Sequence, residues 1–238
     1  MERKFNRIGE AFLAAFPHTI PILTGFLFLG TTYGIYARSS GLSLWYPILM
    51  SLTIFAGSME FVAVDLLRGA FLPLQAFLMT LMVNARHLFY GISMLERYRN
   101  TGWKKPYLIF GLCDESFSIN CSARIPEGID RGWFLFFITL LNQLYWVCGA
   151  ALGSVFGSFL HFNTQGLDFV MTAMFVVIFL EQWLKEKDHT TSLIGLILPI
   201  LCLIIFGADR FMIPAMLSIL AALTLLRHTL ERGEDPNK

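Results

Sequence analysis

Glu60, Arg86, His87, Asp114 and Glu115 are ionisable residues set inside or beside stretches that otherwise hold apolar side chains. In hydrocarbon an ionised group costs at least ~2.5 kcal/mol at mid-depth, so such groups face a cavity or a partner. Glu60 lies in SLTIFAGSMEFVAVDLL, three residues after Gly57 and two after Ser58, with Asp65 further on. A Gly-Ser pair in mid-helix loosens the backbone, and carbonyls and amides freed there can hold a substrate's ammonium and carboxylate. Gly57, Glu60 and Val64 share one helical face, so Glu60 would line the same cavity as the break. The alternative is a simple kink with Glu60 hydrogen-bonded to another helix.

The stretch MVNARHLFYGISM places Arg86 eleven residues before Arg97. That is roughly 16 Å along a helix, too deep for easy snorkelling. Arg86 therefore needs an anion: Glu60, Asp114 or a substrate carboxylate. A structural ion pair between two helices would satisfy it equally well. Asn84, His87 and Gly91 share a face, and a histidine suits proton coupling, though a neutral hydrogen-bonded ring is the plainer reading. In PYLIFGLCDESFSIN an apolar octet ends at Asp114-Glu115. The octet is too short to span, but it can dip into a membrane and return, with its acids attracting a cation or a proton. A surface helix with solvated acids is the alternative. Asn142 reads as helix glue or a ligand, Asp168 as a helix cap, and Glu181 as interfacial. An integral membrane enzyme using the clustered Arg86, His87, Asp114 and Glu115 is the rival reading, but no HExxH, GxSxG or metal-ligand spacing occurs and the histidines are scattered, so a metal and a cofactor are not expected.

The elements that must carry these residues are membrane helices. Of 238 residues 55% are hydrophobic and 15% charged, against roughly 25% charged in soluble domains. Mean hydropathy is +0.61. A net charge of +1 with no basic tract offers nothing to nucleic acid. The pattern predicts an all-α integral membrane protein of about seven transmembrane helices, with six or eight as neighbouring counts. The spans fall near 18–37, 44–66, 71–95, 133–160, 167–184, 190–206 and 211–227. Residues 1–16 read as an amphipathic surface helix, and 96–131 as a polar middle loop with a re-entrant segment. The whole chain, 1–238, is one transmembrane domain.

Lys and Arg number five outside one set of span ends and twelve outside the other. That puts the middle loop and the tail in the cytoplasm and the N-terminus outside, although Arg3, Lys4 and Arg7 pull the other way. Gly30-Thr31-Thr32-Tyr33-Gly34 resembles Gly149-Ala150-Ala151-Leu152-Gly153, three spans later. The pair suggests an inverted repeat, or simply small residues that let helices approach. Cys113, Cys121, Cys148 and Cys202 read as unpaired packing residues, and the Asn120-Cys121-Ser122 sequon is too short a pattern to weigh.

The stretches TIFAGSMEFVAVDLL, NARHLFYGISM, CDESFS and GLDFVMTAMFVVIF, in that order and spacing, resemble those of the AzlC family. That family is the large subunit of bacterial branched-chain amino acid exporters, and the likeness runs from about residue 15 to residue 225. It implies export of valine, leucine, isoleucine and perhaps methionine across the bacterial cytoplasmic membrane. It also implies coupling to protons and a small four-span, AzlD-like partner subunit. Where the family is expected to read Gly-Ala-Ser-Gln-Phe, this chain has Gly57-Ser58-Met59-Glu60-Phe61. By their place in the spans, Gly57, Ser58, Glu60, Asn84 and Arg86 are the substrate-binding candidates, with Phe55, Phe61 and Phe89 around the aliphatic side chain. Glu60, His87, Asp114 and Glu115 are the candidates for proton coupling.

Overall fold

The computed structural model describes residues 2–69, 72–159, 169, 172–173, 176, 179–180, 183–184, 189–207 and 211–233. Two compact units divide the chain, Met1–Met171 and Thr172–Lys238. The described secondary structure is helical. In the first unit it comprises α1 (Glu2–Ser39), α2 (Trp45–Thr53), α3 (Gly57–Arg68), α4 (Pro73–Val83) and α5 (Ala85–Met94). A single 3-10 turn at Gly102–Lys104 then leads into α6 (Lys105–Phe110), α7 (Asp114–Ser122) and α8 (Arg131–Phe159). Two stretches, Arg7–Ser39 and Arg131–Phe159, are each long and apolar enough to cross a bilayer. Leucine and phenylalanine lie on the surface in quantity, with Leu13 71%, Phe28 68% and Leu74 71% exposed. Lipid, not water, tolerates such a surface.

Small residues set the central pair. Gly30 lies against Trp146 and Ala150, Gly34 against Ala150 and Ser154, and Gly157 against Ile35 and Arg38. Residue numbers rise together along both helices, so α1 and α8 run parallel. A Cβ on Gly30 would stand 2.8 Å from the Trp146 carbonyl oxygen, and one on Gly149 would stand 2.9 Å from that of Phe26. Glycine is required here because the backbones themselves touch. The matching Gly-xxx-Gly stretches are thus two halves of one interface. They do not relate α1 to α8 as antiparallel copies, which corrects the repeat as drawn from the sequence.

Between these helices the chain makes two hairpins. α2 runs antiparallel to α8, since Ser154 Oγ donates to the Leu44 carbonyl (3.1 Å) and Gln143 Nε2 to that of Leu52 (3.1 Å). α3 then returns toward the end where α2 began: Gly57 lies against the Trp146 ring, Phe61 beside Tyr33, and Tyr36 donates to Asp65 at 2.6 Å. The stretch 44–66 expected as one span is therefore a hairpin. Its reversal lies at Ile54–Ala56, where Phe55 has φ 47, and not at Gly57-Ser58, which open α3.

α4 and α5 are separated by Asn84 alone (φ −97, ψ 8) and lead from the end of α3 to the start of α8. There Arg131 donates to the carbonyls of Glu96 (3.0 Å), Arg97 and Arg99 (3.1 Å). Pro106 opens α6, where its missing N–H costs nothing. α6 climbs beside α8 from Trp103, 5.8 Å from Trp133, to Gly111 against Thr139. α7 descends again, with Asn142 Nδ2 donating to Ser116 (3.2 Å) and Arg97 to the Ala123 carbonyl (2.6 Å). The segment 96–131 is thus a second hairpin, entering from the opposite end. Each hairpin follows a crossing and enters from the end where that crossing finishes, so the two hairpins enter from opposite ends.

Residues 7–16 are not a separate surface helix. α1 continues through Pro17 and Pro21 without interruption. Ala15 is buried with Met94, Tyr98, Leu108 and Phe134, and Phe12 meets Phe137 at 5.3 Å. The start of α1 and the middle segment therefore share one end of the unit. Arg3, Lys4, Arg7, Arg97, Arg99, Lys104, Lys105, Arg124 and Arg131 belong to that end, while Arg38 and Arg68 belong to the other. This corrects the expectation that the N-terminus and middle loop lie on opposite sides.

The second unit holds α9 (Thr190–Phe206) and α10 (Met212–Gly233), with Cys202 Sγ 3.5 Å from Ser218 Oγ. The expected span 167–184 lies largely outside the described residues, as do Asp168, Glu181 and Gln182. All four cysteines are free. Asn120 is fully buried and donates to Tyr98 and Thr139, so the sequon is not open to modification.

Candidate functional site

The hairpin tips and the α4–α5 break meet at a cavity of about 190 Å³. Ile54, Phe55 and Ala56 line it from the first tip, Asn84, His87 and Gly91 from the break, and Ile109, Phe110 and Leu112 from the second. Pockets for drug-sized ligands run roughly 300–1,000 Å³, so this one suits a small solute. Asn84 Oδ1 is buried without a hydrogen-bond partner. A buried acceptor left unpaired costs about 1–3 kcal/mol, which a donor entering the cavity would recover. The His87 ring nitrogen Nδ1 stays close to home, 3.3 Å from the Asn84 carbonyl oxygen.

A polar chain runs beside the cavity. Arg86 Nη2 donates to Ser58 Oγ at 2.9 Å, and Arg86 Nε lies 3.1 Å from Asp114 Oδ1. Asp114 is thus the anion that Arg86 meets, of the three that its depth called for. About a third of each side chain stays exposed, 33% for Arg86 and 28% for Asp114. Among the described residues Glu115 makes no ion pair within 4.0 Å, although it opens α7 beside Asp114.

Glu60 stands apart from this chain. It is fully buried, and Trp146 Nε1 donates to both its oxygens at 3.0 Å while the Ala56 N–H donates to Oε1 at 3.2 Å. No cation lies within 4.0 Å of it among the described residues. Gly57 makes the approach fit, because a Cβ there would meet the Trp146 ring at 3.0 Å. Gly57 therefore seats the indole and does not line the cavity. Phe61 is committed to Tyr33 and Tyr36, Phe89 is 51% exposed, and only Phe55 of the three expected phenylalanines lines the cavity.

Sequence reasoning missed Trp146, which lies 86 residues from its carboxylate in an unremarked apolar stretch. It also missed Tyr107, which donates to Gln143 at 2.6 Å and pins α6 to α8. Neither carries a local signal, since an indole or phenol in an apolar run reads as packing.

Two broken helical hairpins entering from opposite ends, and meeting at a small cavity edged by polar side chains, define a membrane transport protein. No metal-ligand cluster occurs among the described residues. The AzlC protein family profile matches residues 21–160. A branched-chain amino acid transport protein, AzlC of Bacillus subtilis, is 64% identical over 97% of this chain and 91% of its own length. An uncharacterised membrane protein of Haemophilus influenzae is 49% identical over 95% and 93%. The inner membrane protein YgaZ of Escherichia coli is 26% identical over 79% and 80%. No solved structure matches. The chain belongs to the AzlC family.

Proposed function

We propose that this chain is the large subunit of a secondary exporter. It moves branched-chain amino acids, and methionine among similar apolar ones, out of the cell in exchange for protons. The 190 Å³ cavity between the hairpin tips carries this reading, because it offers an unpartnered acceptor, Asn84 Oδ1, beside apolar walls. The substrate ammonium binds Asn84 and the tip carbonyls, and its aliphatic chain lies against Phe55, Ile109 and Leu112. Its carboxylate competes with Asp114 for Arg86, with Ser58 as the bridging hydroxyl. Glu60 carries the exchangeable proton, with His87, Asp114 and Glu115 as the relay to solvent.

The 64% identity to a branched-chain amino acid transport protein supports the substrate class. The apolar surface and the segregated charges support a multi-pass place in the bacterial inner membrane, and with 44–66 folded back as a hairpin the expected spans fall from seven to six. The end bearing Arg97, Arg99, Lys104, Lys105 and Arg131, together with the N-terminus, faces the cytoplasm. A small four-span AzlD-like subunit completes the exporter. Transport of another small metabolite by the same cavity is the alternative, favoured by Glu60 where the family pattern is expected to hold glutamine.

The test uses cells preloaded with leucine- or methionine-containing dipeptides. Efflux is compared for this chain alone, for the chain with the small subunit, and for both after Glu60→Gln. Leucine efflux only with both proteins, and its loss on dissipating the proton gradient, is the expected result. No efflux of any such amino acid, with the complex verified in the membrane, sinks the proposal.

A further inference from the structure

At the end of the unit shared by the N-terminus and the second hairpin lies a second cavity, of about 490 Å³, outside the transport pathway described above. Arg99, Lys104 and Arg131 line it with Glu96 and Asp130. Arg131 is engaged with the carbonyls that follow α5, and Asp130 Oδ1 caps α8 by accepting the Trp133 N–H at 2.8 Å. Arg99 and Lys104 have no carboxylate within 4.0 Å among the described residues. Both therefore border the cavity with no close ion pair of their own.

Two further observations say what kind of molecule fits. The turn on the cavity wall alternates in hand: φ is 64 at Asn100, −81 at Thr101 and 63 at Gly102. Successive residues of opposite hand turn their N–H groups toward one concavity, a geometry that binds anionic oxygens. Indoles flank Lys104 in the cavity wall. Lys104 Nζ stands 4.6 Å from the Trp133 ring centroid and 5.7 Å from that of Trp103, which is 69% exposed. Tryptophans mark the headgroup level of a bilayer, and basic pockets at that level hold lipid phosphates.

We infer that this cavity is a phospholipid headgroup site, selective for a phosphodiester that carries an ammonium group, as in phosphatidylethanolamine. Arg99, Lys104 and the 100–102 turn hold the phosphate. Glu96 and the free oxygen of Asp130 accept the ammonium, which explains acids in a pocket otherwise built for an anion. The acyl chains leave past Trp103. A purely anionic headgroup would leave Glu96 facing phosphate oxygens, and a quaternary ammonium would offer it no N–H.

The test retains the full chain. It is purified in detergent and titrated with phosphatidylethanolamine, phosphatidylglycerol, phosphatidylcholine and free phosphorylethanolamine, with lipid retention read by native mass spectrometry. Phosphatidylethanolamine is expected to bind most tightly. Arg99→Gln and Lys104→Gln should each weaken it about tenfold, the loss expected for one charge-assisted bond. Glu96→Gln should remove the preference over phosphatidylglycerol. Arg68→Gln, at the far end, should change nothing and controls for general loss of charge. Equal retention by the Lys104 and Arg99 variants, with circular dichroism showing intact helices, overturns the site. Free phosphorylethanolamine competing as well as the lipid overturns the lipid source.

Discussion

The Glu60 carboxylate and the Trp146 indole, 86 residues apart, are joined by one N–H that reaches both oxygens at 3.0 Å. The contact ties the first residues of the first hairpin's returning helix to the middle of α8, and so fixes the hairpin tip. Trp146→Phe keeps the ring but deletes the donor. Unfolding in detergent should show a loss of about 1–3 kcal/mol, the cost of leaving a buried acceptor unpaired. In a Glu60→Gln background the same change should cost less, and a double-mutant cycle with coupling below about 0.5 kcal/mol would contradict the bond's importance.

The α1–α8 interface is set by backbone contact. Gly34→Ala would drive a methyl into the Ala150 carbonyl, and Gly153→Ala into that of Thr31. Each should destabilise by about 1–3 kcal/mol through forced separation of the helices. Gly25→Ala, whose Cβ would meet nothing within 4 Å, should be neutral or stabilising. Thermal unfolding of the three variants discriminates them, and equal melting temperatures would refute the close packing.

Arg86 and Asp114 link the second hairpin to α5. Arg86→Gln or Asp114→Asn should each lower stability by about 1–3 kcal/mol, less than for a fully buried pair because both groups keep some exposure. The double neutral variant should regain part of that loss while remaining inactive in efflux. Full efflux from the double variant would show that the pair is only a tie between helices.

Asn84 tests substrate binding without a stability penalty. Its Oδ1 has no partner, so Asn84→Leu removes no hydrogen bond from that atom and should leave membrane abundance unchanged. It should raise the apparent KM for leucine efflux about tenfold, while Asn84→Asp retains more of the activity. Wild-type kinetics in Asn84→Leu would remove the residue from the site.

The shared end is open to labelling. Cys121 is exposed near the end of α7 in the second hairpin, and Gly41 follows the far end of α1. A membrane-impermeant thiol reagent should reach Cys121 from the same side as a cysteine placed at Arg7. A cysteine replacing Gly41 should react from the other side. Labelling of positions 7 and 121 from opposite sides would refute the parallel packing of α1 and α8.

The amino-acid order alone determined the solvent, the helical class and the short set of polar residues worth attention. Those features depend on hydrophobicity and period, which are local properties of the chain. The apolar octet before Asp114 also marks a segment too short to cross, because its length is a local fact. The depth of Arg86 in an apolar stretch likewise called for an anion before any partner was known.

Only the tertiary structure decided which partners those residues take. The 23-residue run 44–66 reads identically whether it crosses or turns back. The reversal at Phe55 depends on Gln143 and Trp146 holding α2 and α3 to α8. The two Gly-xxx-Gly stretches look like copies of one another in sequence, yet they are partners, since small residues serve repetition and close packing equally well. The direction of α1 relative to α8 followed from how many times the chain returned between them, and hydropathy carries no sign for direction. Side-chain pairing across 86 residues arises when the fold closes, so the Glu60–Trp146 bond had no trace in either residue's own neighbourhood.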